Sequence, residues 1–314
     1  MRYVITKSGA LLAAVWFTAT LTFFALQVLP GDPAVLILGT EGDPAMLESL
    51  REQLGLSLPL GQRYWLWLVS VLQLDFGVSI RYSRPVSQLM ASALPVTLFL
   101  AALAVTTALV LAVPLGVYTS VGRANPMRAA IGLLTHLGMA MPSFWLGMLL
   151  MQWIAVERGW FPAGGFFRPS AAGWGMALRS LLLPALTLAI PRAAILTRMV
   201  RASMKQVLAE DYIRTARSKG VSRTRTYFLH ALRNAGLNIS TVAAIQMTQL
   251  LVGTIIVEQV FSLPGMGRLL LAAVLQRDLP LVQGLVVVGA AMIVSFHYVF
   301  DLLLGWLDPR IRFE

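Results

Sequence analysis

Cysteine is absent from the 314 residues. That excludes a disulfide framework, a thiolate nucleophile and any cysteine metal site. Histidine is scarce, and His136, His230 and His297 lie far apart, so no His-rich metal constellation is available. Lysine occurs only at positions 7, 205 and 219, preceded by Thr6, Met204 and Ser218. A nucleotide-binding P-loop, G-x-x-x-x-G-K-[ST], needs Gly immediately before the Lys that meets the phosphates. The chain has none, so any ATP chemistry sits on another polypeptide. Charge is thin, at 12% against roughly 25% in soluble domains. No zincin motif, Ser-His-Asp set or pair of carboxylates within the apolar runs stands out, and catalysis is not supported.

Apolar residues fill the space, at 57% against roughly 45–50% in soluble domains. No soluble globule of this length has interior enough for them, so the sequence reads as an all-α polytopic membrane protein. About 20 apolar residues cross a hydrocarbon core of about 30 Å. Six runs qualify, near 9–29, 95–119, 131–155, 181–199, 237–257 and 281–300. Backbone polar groups cannot stay bare in lipid, which makes these helices. The first run follows Arg2 and Lys7, reaches Leu29 and is succeeded by Pro30-Gly31-Asp32-Pro33 with no A-x-A site. It is expected to be a retained helix rather than a signal peptide.

Net charge is +11, and its distribution gives orientation. Arg198–Arg233 holds Arg198, Arg201, Lys205, Arg214, Arg217, Lys219, Arg223, Arg225 and Arg233 against Glu210 and Asp211. Bases flank cytoplasmic helix ends, which places this loop inside. Six spans then put both termini inside, in agreement with Arg123 and Arg128 in the 120–130 loop and Arg310 and Arg312 in the tail. The basic excess follows topology, so no nucleic-acid partner is expected. The long 30–94 segment falls outside. Within it, Asp43–Leu54 reads as a short helix with Asp43 as cap, Pro44 in the first turn and Gly55 as stop. Tyr64-Trp65-Leu66-Trp67-Leu68 suits the outer interface. The expected organisation is 1–94 (first helix and outer segment), 95–307 (transmembrane domain, including a loop at 203–235) and 308–314 (cytoplasmic tail).

The basic loop is the most specific signal. Ser203–Ser218 predicts a helix with Met204, Val207, Leu208, Tyr212 and Ala216 on one face. Gly220 then suits the left-handed position at a helix end. Ser222 can cap a second helix with Phe228, Ala231, Leu232 and Ala235 at helical spacing. Such a hairpin can lie on anionic lipid headgroups, or it can dock into a soluble partner and pass motion to the spans. The tight glycine turn slightly favours docking.

Asp211-Tyr212-Ile213-Arg214-Thr215-Ala216-Arg217-Ser218-Lys219-Gly220, followed by His230-Ala231-Leu232-Arg233-Asn234-Ala235, resembles the EAA loop of binding-protein-dependent ABC importer permeases. The variant is that of the dipeptide/oligopeptide/nickel group. Leu29-Pro30-Gly31-Asp32-Pro33, Leu74-Asp75-Phe76-Gly77-Val78-Ser79, Met141-Pro142-Ser143-Phe144-Trp145, Leu183-Pro184-Ala185, Phe261-Ser262-Leu263-Pro264-Gly265-Met266-Gly267-Arg268 and Asp308-Pro309-Arg310-Ile311-Arg312 agree in order along the chain. The resemblance implies a multi-pass subunit of a bacterial inner membrane, surrounded by lipid and paired with a second homologous permease as a heterodimer. Two cytoplasmic ATPases, which hold ATP and Mg, drive the pair, and an extracytoplasmic solute-binding protein delivers the solute. This chain binds no cofactor or metal of its own. The loop docks into a cleft of the ATPase, and Asp211, Tyr212, Arg214, Thr215, Ala216, Lys219 and Gly220 are its coupling residues. Arg214 and Thr215 replace the motif's Glu and Ala, so the Glu's role does not carry over. Asn238 stands where many relatives have Pro, which implies a straighter exit into the fifth span.

Interrupted helices suggest a pathway. Pro142 lies mid-span, and proline there is tolerated where protein or a cavity surrounds the freed carbonyl. Pro142, Ser143, Phe144 and Trp145 are the candidate pathway residues. Pro184 and Pro191 similarly bracket one face of the fourth span. An ion-coupled carrier would show carboxylates within its spans, whereas Glu258 and Asp301 sit at span ends, where capping or interfacial roles suit them. The resemblance leaves short peptides as the expected solute, with nickel or a metal chelate as the alternative. The lack of a His/Cys/acid cluster favours peptides slightly.

Overall fold

The computed structural model describes residues 2–28, 35, 43–53, 57–123 and 125–307. The expected features at 29–33, Gly55 and 308–312 lie outside these residues. By packing, the chain forms two compact units: Met1–Leu94 with Leu269–Tyr298, and Pro95–Arg268 with Val299–Glu314.

Apolar composition without strand-forming alternation produces long helices. Five among the described residues are long and apolar enough to cross a membrane: Thr6–Gln27, Val86–Ser120, Pro169–Leu208, Asn238–Val260 and Leu279–Val299. They belong to α1 (Arg2–Val28), α4 (Val86–Ser120), α7 (Pro169–Leu208), α9 (Leu232–Val260) and α11 (Leu279–Leu307). The expected third span is not one straight helix. It is α5 (Pro126–Ala140) and α6 (Ser143–Leu150), the latter continued by a π-helical turn over Met151–Val156, and the pair is bent by 108°. Pro142 supplies no N–H, and its ring drives Met141 to an extended ψ of 124°, so the helix stops there instead of kinking. Counted as one crossing, the bent pair makes six spans. Pro184 and Pro191, by contrast, remain inside the unbroken part of α7.

In the first unit, α2 (Pro44–Gln53) starts as expected, with Asp43 Oδ1 accepting the Ala45 N–H at 3.0 Å. α3 (Leu60–Leu72) sets Tyr64 and Trp67 against Phe23 of α1, with ring centroids 5.4 and 5.2 Å away. The Tyr64 hydroxyl lies 2.7 Å from Thr20 Oγ1. Elsewhere α1 leaves Leu12, Trp16, Phe17 and Leu21 exposed, a surface suited to lipid and not to water. Asp278 is fully buried. Its carboxylate accepts the Ser79 hydroxyl and the N–H groups of Ile80 (3.2 Å), Arg81 (3.1 Å) and Leu281 (3.3 Å). One side chain therefore caps α11 and closes the 77–86 turn.

In the second unit a comparable device ends α9. The chain reverses over Phe261–Gly265 into α10 (Met266–Leu275). Glu258, fully buried, accepts the Thr97 hydroxyl at 2.6 Å and the N–H groups of Arg268 (3.0 Å) and Gly267. Thr97 Oγ1 in turn accepts the Met266 N–H at 2.8 Å. The capping role expected of Glu258 holds, and the side chain is buried within the protein. Glycine is required beside it: a Cβ at Gly267 would stand 2.5 Å from the Ile255 Cα, and one at Gly265 would overlap the Glu258 carboxylate.

Thr97→Val, which keeps the shape but strands a buried N–H and part of a carboxylate, should destabilise the folded protein by about 1–3 kcal/mol. Thr97→Ser should restore most of that, as read by thermal unfolding in detergent. Gly267→Ala should cost about 1–3 kcal/mol by overpacking. Gly289→Ala, with open space around its Cβ, should cost nothing in the same assay.

Candidate functional site

The basic loop folds as a helical hairpin within the second unit. α7 runs through Ser203 to Leu208, so the predicted single helix over Ser203–Ser218 is divided. Ala209 and Glu210 interrupt it, with Glu210 extended at φ −67° and ψ 146°, and α8 (Asp211–Ser218) begins anew. The interruption resets the helical phase. Ile213, not Tyr212, becomes the inward residue of α8: Ile213 is fully buried, while Tyr212 is 43% exposed. Ile213 packs with Val117 of α4, Val200 and Met204 of α7, and Ala231, Ala235 and Ile239 on the returning arm.

The turn closes through Gly220 at φ +81°. Its N–H bonds to the Arg217 carbonyl at 3.0 Å, and the Val221 N–H reaches the Ala216 carbonyl at 3.2 Å. These are the paired 5→2 and 6→1 bonds of a Schellman termination. Ser222 then caps the second arm, its Oγ accepting the Arg225 N–H at 3.4 Å. That arm is a short turn at Arg223–Arg225, a π-helical turn at Thr226–Ala231, and α9 without a break through Asn238. The π turn rotates Phe228 outward, to 53% exposure, and buries Thr226. Asn234 Nδ2 donates to the Tyr212 hydroxyl at 2.9 Å, and the Arg217 guanidinium lies 5.8 Å from the Tyr227 ring centroid. Both contacts tie the two arms together.

Of the predicted coupling residues, Asp211, Tyr212, Arg214, Thr215, Lys219 and Gly220 are exposed and Ala216 is half-buried. Asp211 pairs with Arg214 at 3.5 Å, both largely in solvent, so the pair adds little stability. The hairpin thus offers a polar outer surface on an apolar base fixed to α7 and α9.

The predicted pathway residues gather at the break between α5 and α6. Pro142 is the residue before α6, Ser143 is half-buried, and Phe144 and Trp145 are 44% and 42% exposed. The glycines flanking them serve close packing. A Cβ at Gly138 would meet the Ala194 Cβ at 3.1 Å, and one at Gly147 the Thr187 Cγ2 at 3.0 Å. Sequence reasoning passed over Arg192. It sits midway along α7, half-buried, with Nη1 donating to Gln249 Oε1 at 2.6 Å and Gln246 Oε1 at 3.2 Å on α9. The spacing Gln246–Gln249 in an apolar run was the available signal. Among the described residues, no three His, Cys, Asp or Glu side chains converge as a metal site.

Comparison with known proteins gives a consistent result. Residues 112–313 match the family described as binding-protein-dependent transport system inner membrane component, and residues 1–101 match its N-terminal membrane component. A Brucella abortus (strain 2308) protein bearing the name of a peptide transport system permease is 41% identical over 298 residues, covering 94% of each chain. The glutathione transport system permease protein GsiC of Escherichia coli (strain K12) is 38% identical over 315 residues, covering all of both. Among solved structures, a chain of the MetNI methionine ABC transporter in an inward-facing conformation superposes with a TM-score of 0.56. It is 15% identical and covers 70% of this chain and 97% of that one. A chain of an amino acid ABC transporter gives 0.51 at 20% identity, covering 72% and 95%.

Ile213→Ala should loosen the hairpin by about 2–5 kcal/mol, read as faster amide exchange over 211–219 and faster tryptic cleavage there. Arg214→Ala, which removes a tryptic site, should leave the amide exchange unchanged.

Proposed function

Because the chain belongs to the binding-protein-dependent transport system inner membrane components, an ABC transporter permease family of the peptide and glutathione type, we propose that it forms half of a translocation pathway for short peptides. A second homologous permease supplies the other half, an extracytoplasmic binding protein delivers the solute, and two cytoplasmic ATPases carrying ATP and Mg drive the cycle. Six crossings with both termini and the hairpin on the cytoplasmic side fit this assembly.

The hairpin around Gly220 carries the reading. Its polar outer face suits a protein cleft, and its apolar base is anchored to the ends of two long helices. ATPase closure would press on Asp211, Arg214, Thr215 and Lys219 and move α7 and α9 together. Such a shift requires the ATPase to contact the two permease states with different free energies, and a rigid turn keeps that difference from being lost in local bending. The Pro142 break, with Phe144 and Trp145 beside it, gives the adjoining helices a place to rearrange. Arg192 supports a solute with a carboxylate: a guanidinium halfway along a span repels a bare divalent cation and can pair with a peptide terminus.

Gly220→Val places a β-branched residue at a left-handed φ, at about 1–3 kcal/mol of local strain, in a spot with open space around it. In the reconstituted transporter we expect peptide uptake to fall at least tenfold, while the protein remains inserted and ATP hydrolysis no longer answers to peptide-loaded binding protein. Gly220→Asn, which accepts left-handed backbone better, should keep most of the coupling. Full coupled uptake by Gly220→Val would refute the proposal.

A further inference from the structure

A cavity of about 300 Å³ opens between α4, α5 and α7, entirely within the second unit. Its size is at the lower end of small-ligand sites. Arg198, Arg201 and Lys205, one to two turns apart on α7, line it together with His136 of α5. Among the described residues, none of the three bases makes an ion pair or a side-chain hydrogen bond. The nearest acids along the chain do not neutralise them: Glu210 is exposed, and Asp211 is engaged with Arg214. His136 Nδ1 lies 2.6 Å from the Gly132 carbonyl. A carbonyl only accepts, so Nδ1 donates this bond. Thr197 lines the same cavity, is 3% exposed, and its hydroxyl has no hydrogen-bond partner. A buried hydroxyl without a partner marks a place where a polar atom is missing.

Gly132, Thr135, His136 and Met139 of α5 line the cavity at helical spacing. Leu133, Leu134 and Leu137 fall on the other side of α5 and are 63%, 65% and 45% exposed, so the helix separates the basic cavity from an apolar outer surface. Cationic groups at the ends of membrane helices attract anionic phospholipid headgroups.

We propose that this cavity binds a phosphate-class anion, and that its resident ligand is the phosphodiester headgroup of an anionic phospholipid whose acyl chains lie in the surrounding bilayer. Arg198, Arg201 and Lys205 supply the charge, and the Thr197 hydroxyl supplies a directional donor. The three bases occupy the part of α7 just before the hairpin, so a bound lipid holds the helix end that the hairpin moves. The site is independent of the solute.

The test uses the full-length protein in detergent, with native mass spectrometry reading retained dioleoylphosphatidylglycerol against dioleoylphosphatidylcholine. We expect one phosphatidylglycerol per chain to be held preferentially. Combining Arg198→Gln, Arg201→Gln and Lys205→Gln should weaken retention about a hundredfold, from about 1 kcal/mol per base near a membrane and tenfold per 1.4 kcal/mol. If that variant does not assemble, Arg201→Gln alone should weaken retention about fivefold by the same conversion. Arg223→Gln with Arg225→Gln, exposed bases on the other arm of the hairpin, should leave retention unchanged. Equal losses in both sets would reduce the effect to diffuse attraction and overturn the proposal, as would full retention after removal of the cavity bases. Displacement of the lipid by excess inorganic phosphate would identify a free anion as the ligand and overturn the lipid assignment.

Discussion

Hydrocarbon offers no water to a broken helix, so every backbone N–H and C=O released at a break must find a partner within the protein. Buried carboxylates meet this constraint at two irregular stretches of the chain. Asp278 gathers the donors of the 79–81 turn and of the first turn of α11. Glu258, with Thr97 as intermediary, gathers those at the start of α10. Each belongs to one unit and lets that unit reverse direction without stranding polar groups. The acids long absent from the middles of the spans are thus concentrated where the chain turns.

Close approach of backbones is the other condition that the second unit meets. Without a hydrophobic drive between helices in lipid, association relies on tight contact and small residues. α7 is the receiver of these contacts. Gly116 of α4 faces Val200, Gly138 of α5 faces Ala194, Gly147 of α6 faces Thr187, and Gly253 of α9 faces Leu188. A helix gripped on several sides, and carrying the hairpin at its end, passes displacement along its length instead of absorbing it. The coupling role proposed for the hairpin therefore depends as much on these glycines as on Gly220.

The hairpin itself divides its labour by residue type. Ile213 and the alanines at 231 and 235 fasten it, Gly220 and the Ser222 cap shape it, and the charged residues are left outward for a partner. The coupling role proposed above would give that outward face a purpose in a binding-protein-dependent transport component.

The number of apolar runs, the hairpin and its glycine turn, the helix start at Asp43 and the family were all legible in the sequence, because each follows from local periodicity, capping chemistry or an ordered set of motifs. The identity of the anchoring residue was not. Tyr212 replaced Ile213 in the predicted face because a two-residue interruption at Ala209 and Glu210 shifts the helical phase, and periodicity assumes that phase is continuous. The sharp break at Pro142 and the tolerated Pro184 and Pro191 look alike in sequence; they differ in whether the surrounding helices let the chain turn. Composition alone determined that this chain lives in a membrane. Only the tertiary structure decided that Glu258 and Asp278 close turns, that Arg192 meets two glutamines, and that three bases share a cavity with a threonine, none of the four partnered among the described residues. Those are encounters between residues distant along the chain or between separate helices, and nothing in local sequence encodes who meets whom.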